Sequence, residues 1–276
     1  MKENTVKKLL VYAGIAFGLI FCLFPFIYMI MISLSTRADF LAQEVPFRFT
    51  LDNFNSVLTD RSLHFIDYLR NSIAVSLISA FFCVAIASAA AYAITRLRFP
   101  GKMYLLFFAL AVSMFPQIGL VGYLFKFMSK LGWINTYQAL VLPYTAWILP
   151  LSLWILVSYF SQIPRELDKA ALVDGCTYWQ SLYKVILPVA APGVLSVFLL
   201  SFIFAFNEFM FALMLTTDYK ARTIPVGIAL FQGLHGQTPW GNIMAASVVT
   251  TLPVVILTLV FQKRIMGGLT RGAVKG

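Results

Sequence analysis

Six apolar runs, each long enough to cross a lipid bilayer, limit this chain to a helical membrane fold. About 20 apolar residues span the hydrocarbon core as a helix. Runs near residues 9–34, 70–95, 103–127, 138–160, 193–216 and 243–262 meet that length. Inside lipid every backbone N–H and C=O must be paired within the segment, so such runs read as α-helices. Only 12% of the residues are charged, against roughly a quarter in a soluble domain, which excludes a water-covered globule. The 26 phenylalanines suit a lipid-facing surface. The expected class is an all-α polytopic membrane protein with six transmembrane helices. Residues 1–276 are expected to form a single transmembrane domain with a long outer loop at 35–69 and a second large loop at 161–192.

The net charge of +10 first suggests nucleic acid, but the basic residues form no patch or arm. They lie in short groups between apolar runs, where they set orientation instead. With the N-terminus inside, the inner segments 1–8, 96–102, 161–192 and 263–276 hold 13 Lys and Arg, and the outer segments hold 8 when Arg70 and Lys126, at the outer ends of their spans, are counted with them. The positive-inside rule then puts both termini in the cytoplasm of a multi-pass cell-membrane protein. The first run is too long for the apolar core of a signal peptide and continues through Pro25 to Met31, so it reads as an uncleaved span. Cys22, Cys83 and Cys176 are too scattered to imply a disulfide framework. Pro25, Pro116, Pro143, Pro150 and Pro253 predict either ordinary kinks or a pathway lined by bent helices.

The loop at 161–192 carries the clearest local signals. Pro164 suits the first position of a short helix, and Arg165, Glu166 and Asp168 follow, the two acids at the positive end of its dipole. Leu167, Ala170, Ala171 and Asp174 share one face at helical spacing. Gly175 stands where a left-handed C-terminal cap belongs. Thr177 and Gln180 then form a capping box for a second helix, with Trp179, Leu182, Tyr183 and Ile186 as its apolar stripe and Pro188 as its end. This unit could dock a partner, the adjacent alanines allowing close approach, or lie as an amphipathic loop on the membrane.

From Lys169 to Pro188 the chain reads KAALVDGCTYWQSLYKVILP. This resembles the cytoplasmic signature of binding-protein-dependent ABC importer permeases: E-A-A, three residues, G, nine residues, then I-x-L-P. Ala170, Ala171, Gly175, Leu187 and Pro188 fall on the pattern; Lys169 replaces the signature Glu, and Val185 stands where Ile is usual. TLDNF (Thr50–Phe54), Asn71–Ser72, RFPGK (Arg98–Lys102), FNEF (Phe206–Phe209) and the ending GLTRGAVKG (Gly268–Gly276) extend the resemblance. Together they are similar to the second, six-span permease of maltose- and trehalose-type sugar importers, with the type I ABC importer permease fold. The resemblance implies a homologous permease partner, two cytoplasmic ATPase subunits and an extracytoplasmic sugar-binding protein. It assigns ATPase coupling to Arg165, Glu166, Ala170, Ala171, Asp174, Gly175, Leu187 and Pro188, and insertion of the tail between the ATPases to Thr270, Lys275 and Gly276. It also implies that the last outer loop, with Gln232, Gly233, Gly236, Pro239 and Trp240, enters the binding protein's sugar cleft. A plain connector with Trp240 as an interfacial anchor is the other reading of that loop.

The chain has no G-x4-G-K-[ST] phosphate loop, so no ATP hydrolysis is assigned to it. ATP and magnesium are expected on the partner ATPase, and no cofactor or metal on this chain. His64 and His235 stand apart from each other, which excludes a zinc-protease helix motif. Glu208 is the only acid well inside a span, too few for a proton-coupled carrier, and no K⁺-filter sequence is present. A carboxylate in that position faces either a wet cavity or a partner group. It is therefore a pathway residue beside Asn207, or a structural hydrogen-bonding group to a neighbouring span. Gln117, Tyr92 and Tyr123 are further pathway candidates. The competing class is a secondary carrier or channel that works alone, and co-purification with a cytoplasmic ATPase separates the two.

Overall fold

The computed structural model describes residues 2–36, 48–231 and 238–273; of 2–6 and 262–273 it describes only the helical backbone. The chain opens with α1 (Lys2–Ser33), α2 (Asp52–Thr59), α3 (Phe65–Arg96), α4 (Lys102–Ser113) and α5 (Gln117–Lys130). It continues with α6 (Tyr137–Ser161), α7 (Glu166–Val173), α8 (Tyr178–Ser181), α9 (Leu187–Val189) and α10 (Ala191–Phe206). It closes with α11 (Met210–Leu215), α12 (Ile224–Ala229) and α13 (Trp240–Ala273). Among the described residues the sole β pairing is one antiparallel bridge between Ser35 and Phe49.

Four helices are long and apolar enough to cross a membrane: Lys7–Ser33 within α1, α3, α6, and Trp240–Phe261 within α13. Two bent pairs raise the number to six if each counts as one span: α4 with α5, bent by 89°, and Tyr178–Val189 with α10, bent by 85°. The all-helical membrane class is borne out, but two expected runs are not single helices. The third run breaks before Pro116, which has no N–H to donate and whose ring disfavours a helical Phe115. Pro116 itself caps α5 in extended backbone, with φ −67° and ψ 129°. The fifth run is interrupted at residues 207–209, between α10 and α11. Pro25, Pro143, Pro150 and Pro253 instead lie inside continuous helices.

The chain divides into two compact units, one of Met1–Phe65 with Ile228–Leu252 and one of Ile66–Gly227 with Pro253–Gly276. In the first, Asn53 of the TLDNF motif donates from Nδ2 to the carbonyls of Ser33 and Ser35, both at 2.9 Å. This stitches α2 to the end of α1. A Cβ on Gly241 would lie 2.6 Å from Asn53 Oδ1, so the glycine is what lets α13 start against this junction.

In the second unit, α3, α6 and α10 are joined at mid-length by small polar groups. The Cys83 thiol donates to Ser152 Oγ at 3.3 Å, and Ser152 shares a 3.1 Å hydrogen bond with Ser201. Such groups hold membrane helices together where no hydrophobic effect distinguishes helix from lipid. At one end of α3, Asn71 Nδ2 donates to the carbonyls of Tyr219 and Arg222, and its Oδ1 accepts from the Tyr137 hydroxyl. Ser72 Oγ accepts from Ile224 N at 2.7 Å. The Asn71–Ser72 pair thus latches the 216–224 loop to α3. Asn135, in left-handed backbone with φ 63°, braces the same loop by donating to Asp218 and accepting from the amides of residues 217 and 218. The Lys220 amide and the Asn135 side chain hold the Asp218 carboxyl below the usual carboxylate range.

Candidate functional site

The loop at 161–192 folds as two short helices around a glycine turn. Gly175 adopts φ +85°. Cys176 N donates to Ala171 O at 2.9 Å and Gly175 N to Leu172 O at 3.1 Å, the 6→1 and 5→2 bonds of a Schellman cap. The capping box is also present: Thr177 Oγ1 accepts from Gln180 N at 3.2 Å, and Gln180 Oε1 from Thr177 N at 2.8 Å.

The faces of this unit differ from expectation. On α7 the buried residues are Asp168 and Ala171, whereas Leu167 and Ala170 are exposed. The helix is rotated because Asp168 meets a buried guanidinium from α3, and that charge pair decides the orientation. Glu166, Asp174 and Val173, the last 87% exposed, complete an outward surface with Tyr178 and Trp179. Arg165 reaches back, its Nη2 donating to Thr95 O at 3.3 Å. Of the second stripe, Leu182 and Ile186 are buried in a core with the ends of α3, α6 and α10, while Trp179 and Tyr183 face outward. Two boundaries also shift. Pro164 precedes the cap residue Arg165 instead of opening the helix. Pro188 does not end the second helix, because the chain widens into a π turn at Leu182–Ile186 and runs on to Val189. The wider turn relieves the clash between the proline ring and the carbonyl four residues back. Leu187 is half-buried and Pro188 exposed.

The second feature is a cavity of 530 Å³ lined by Gln117, Tyr144, Trp147, Ile148, Phe204, Asn207, Glu208, Phe209 and Met210. Both helix breaks open onto it, one at Pro116–Gln117 and the other at Asn207–Phe209. Irregular backbone at membrane depth is tolerated where it lines a cavity or is buried in protein, so the breaks and the cavity account for each other. Glu208 Oε1 accepts from Phe211 N at 2.8 Å and Oε2 from Ala212 N at 3.2 Å. The carboxylate therefore caps α11 from its own chain segment while bordering the cavity. The Tyr144 hydroxyl borders Glu208 and Thr223 without a well-aligned hydrogen bond. Asn207 Nδ2 donates to Ile203 O at 2.8 Å, closing the end of α10.

Of the five pathway candidates, Gln117, Asn207 and Glu208 come together in this cavity. Tyr123 lines an adjoining apolar cleft of 390 Å³ that shares Trp147 with this cavity. Tyr92 lies elsewhere in the unit, 4% exposed, with its hydroxyl bordering Ser181 and Asp168 of the loop. It belongs to the loop's anchorage and not to the cavity. Sequence reasoning missed Trp147 and Tyr144. Trp147 is held edge-on to Phe211, ring centroids 6.3 Å apart at 75°, and nothing in a Trp amid apolar residues distinguishes a wall from packing. Pro239 and Trp240 sit at the start of α13. Gln232, Gly233, Gly236, Lys275 and Gly276 lie outside the described residues, as does the side chain of Thr270, although the α13 backbone passes through it.

Residues 83–270 match the family described as the binding-protein-dependent transport system inner membrane component. Across its whole length the chain is 55% identical to the trehalose/maltose transport system permease protein MalG of Thermococcus litoralis, covering 100% of both chains. It is 40% identical to the sulfoquinovosyl glycerol transport system permease protein SmoH of Agrobacterium fabrum, over 92% of this chain and 89% of that one. The fold is shared with a crystal structure of a bacterial ABC transporter involved in the import of the acidic polysaccharide alginate. That similarity has a TM-score of 0.80 at 21% identity and covers 95% of this chain and 98% of that one. By signature, helical architecture and full-length kinship, the chain belongs to the family of inner membrane components of binding-protein-dependent transport systems.

Proposed function

We propose that this permease forms, with a homologous permease, the pathway of an ATP-driven importer for a neutral disaccharide of the trehalose or maltose type. The observation that carries the reading is the convergence of both helix breaks on one cavity. Its volume falls within the roughly 300–1,000 Å³ usual for small-molecule sites. Trp147, half-buried at the wall, offers aromatic surface to the C–H faces of a sugar, and Gln117, Asn207 and Glu208 offer hydrogen-bonding groups to its hydroxyls. The lining includes a carboxylate and no cation among the described residues, which disfavours an anionic sugar such as a sulfonated one. The 55% identity to a trehalose/maltose permease supports the same substrate class.

In this reading both termini are cytoplasmic. Two ATPase subunits, holding ATP and magnesium, sit against the outward face of α7 and α8, where Val173, Tyr178 and Trp179 are exposed. Closure of the ATPases moves the loop as a rigid unit and switches the pathway. An extracytoplasmic binding protein delivers the sugar and receives the segment around residues 232–240. Gln117→Ala and Trp147→Phe test the cavity, the second keeping an aromatic ring against Phe211. Each should slow sugar uptake about 3–10-fold, as expected for ~0.5–1.5 kcal/mol of lost aromatic or polar contact. Basal ATP hydrolysis should stay unchanged. Uptake at the parent rate in both variants would remove the cavity from the pathway.

The C-terminal tail, whose backbone is helical as far as Ala273, reaches between the two ATPases. Deleting Thr270–Gly276 should lower complex yield or sugar-stimulated hydrolysis, measured on purified complexes. Full stimulated activity after the deletion would contradict this role.

A further inference from the structure

Arg96 closes α3, and Asp168 lies in the first turn of α7. Arg96 Nε is 2.8 Å from Asp168 Oδ2, with the two side chains only 5% and 10% exposed. Three further contacts converge there. Arg96 Nη2 donates to Ile163 O at 2.9 Å, just past the end of α6. Ser181 Oγ of α8 donates to Asp168 Oδ1 at 3.3 Å. Arg165 Nη2 crosses in the opposite direction to Thr95 O. The end of α3, the end of α6 and both helices of the loop therefore share one buried polar knot. Its signs suit the elements that carry them, a cation at a helix C-terminus and an anion at a helix N-terminus.

We infer that Arg96 and Asp168 are the positioning pair through which displacement of the loop is delivered to α3. The inference rests on the importer reading of the loop. A buried charge pair serves such a link because separating it leaves both charges buried without their counter-charge, so its members move together. The outward face of α7 takes up the load, and its inward face holds α3 through this contact. α3 runs about 48 Å at 1.5 Å per residue. On the way its Val75 and Cys83 share a core with Tyr144 and Ile148 of the cavity wall. Near its far end, Asn71 and Ser72 hold the 216–224 loop. One rigid helix thus connects the ATPase-facing element, the cavity wall and the opposite loop.

The test uses the complete importer in proteoliposomes and reads sugar translocated per ATP hydrolysed, a ratio that merely weakened folding does not move. Arg96→Gln and Asp168→Asn should each lower the ratio about tenfold in complexes that still assemble, the size expected for a lost coupling contact. The double reversal Arg96→Asp with Asp168→Arg should bring it back to within about threefold of the parent. Arg96→Lys keeps the charge but loses the planar fork, and should give an intermediate loss in a fully assembled complex. The exposed neighbour Arg98→Gln should leave the ratio unchanged. A parent-like ratio in assembled Arg96→Gln and Arg96→Lys overturns the inference while the importer reading stands. If the parent complex itself shows no ATP-linked uptake, the importer reading fails first.

Discussion

Gly175→Val should reduce coupled sugar uptake by more than about tenfold, whereas Gly175→Asn should leave most of it intact. The contrast follows from the backbone. At φ +85° an added side chain meets no atom within 4 Å, so crowding is not the problem. The left-handed region costs an ordinary L-residue roughly 1–2 kcal/mol, and a β-branched residue is a genuine outlier there. Asn tolerates it, which is why it substitutes for Gly at such caps. If valine escapes to negative φ, the bonds from Cys176 N to Ala171 O and from Gly175 N to Leu172 O are lost. α8 then swings relative to α7, and the surface bearing Val173 and Trp179 no longer has one shape. Uptake in proteoliposomes, with ATPase co-purification alongside, measures this. A valine variant with parent uptake would mean that the turn does not set the docking surface.

Gly227→Ala should lower the thermal stability of the permease by the equivalent of about 1–3 kcal/mol, the usual cost of overpacking a filled site. A Cβ there would lie 2.2 Å from Tyr68 Cδ2, 2.6 Å from Cε2 and 2.8 Å from Cγ. These atoms belong to the body of a ring that is 7% exposed, so no flexible end can swing aside. The glycine sits just beyond the 216–224 loop, three residues past the Ile224 amide held by Ser72. Displacing Tyr68 therefore strains the latch at the start of α3. Gly122→Ala, at a helical site with nothing within 4 Å, should be neutral or slightly stabilising. Adding Tyr68→Leu to Gly227→Ala should recover part of the loss. An unchanged melting temperature for Gly227→Ala alone would contradict the close approach.

What was legible in the sequence was local. Thr177 with Gln180, and Gly175 after a short helix, are patterns whose partners lie within five residues, and the structure contains both. α1, α3, α6 and α13 were legible because an apolar run of sufficient length states its solvent. Direction was not legible in the same way. The run 103–127 is apolar enough to read as one span, yet the chain turns by 89° at Pro116, and an apolar count records lipid or core without recording a bend. In the sequence Asp168 reads as an acid favoured by the helix dipole, while its partner Arg96 lies 72 positions earlier among the charges that set orientation. Only the fold brings them together, and their pairing turns α7 so that Ala171 faces inward and Leu167 outward. Tyr92 is a pathway candidate by residue type, but its helix carries it beside Ser181 and Asp168 of the loop. Glu208 reads from the sequence as a pathway residue or as a hydrogen-bonding group to a neighbouring span; its oxygens instead cap α11 of its own chain segment, while its side chain borders the cavity.

This chain is expected to move sugar only as part of a machine driven by ATP through the 166–189 element. The direct measurement is uptake of labelled trehalose or maltose into proteoliposomes holding the two permeases and the ATPases, with binding protein outside and ATP enclosed. Uptake should require both ATP and binding protein and be indifferent to proton or sodium gradients. Uptake by this chain alone, driven by an ion gradient without ATP, would contradict it.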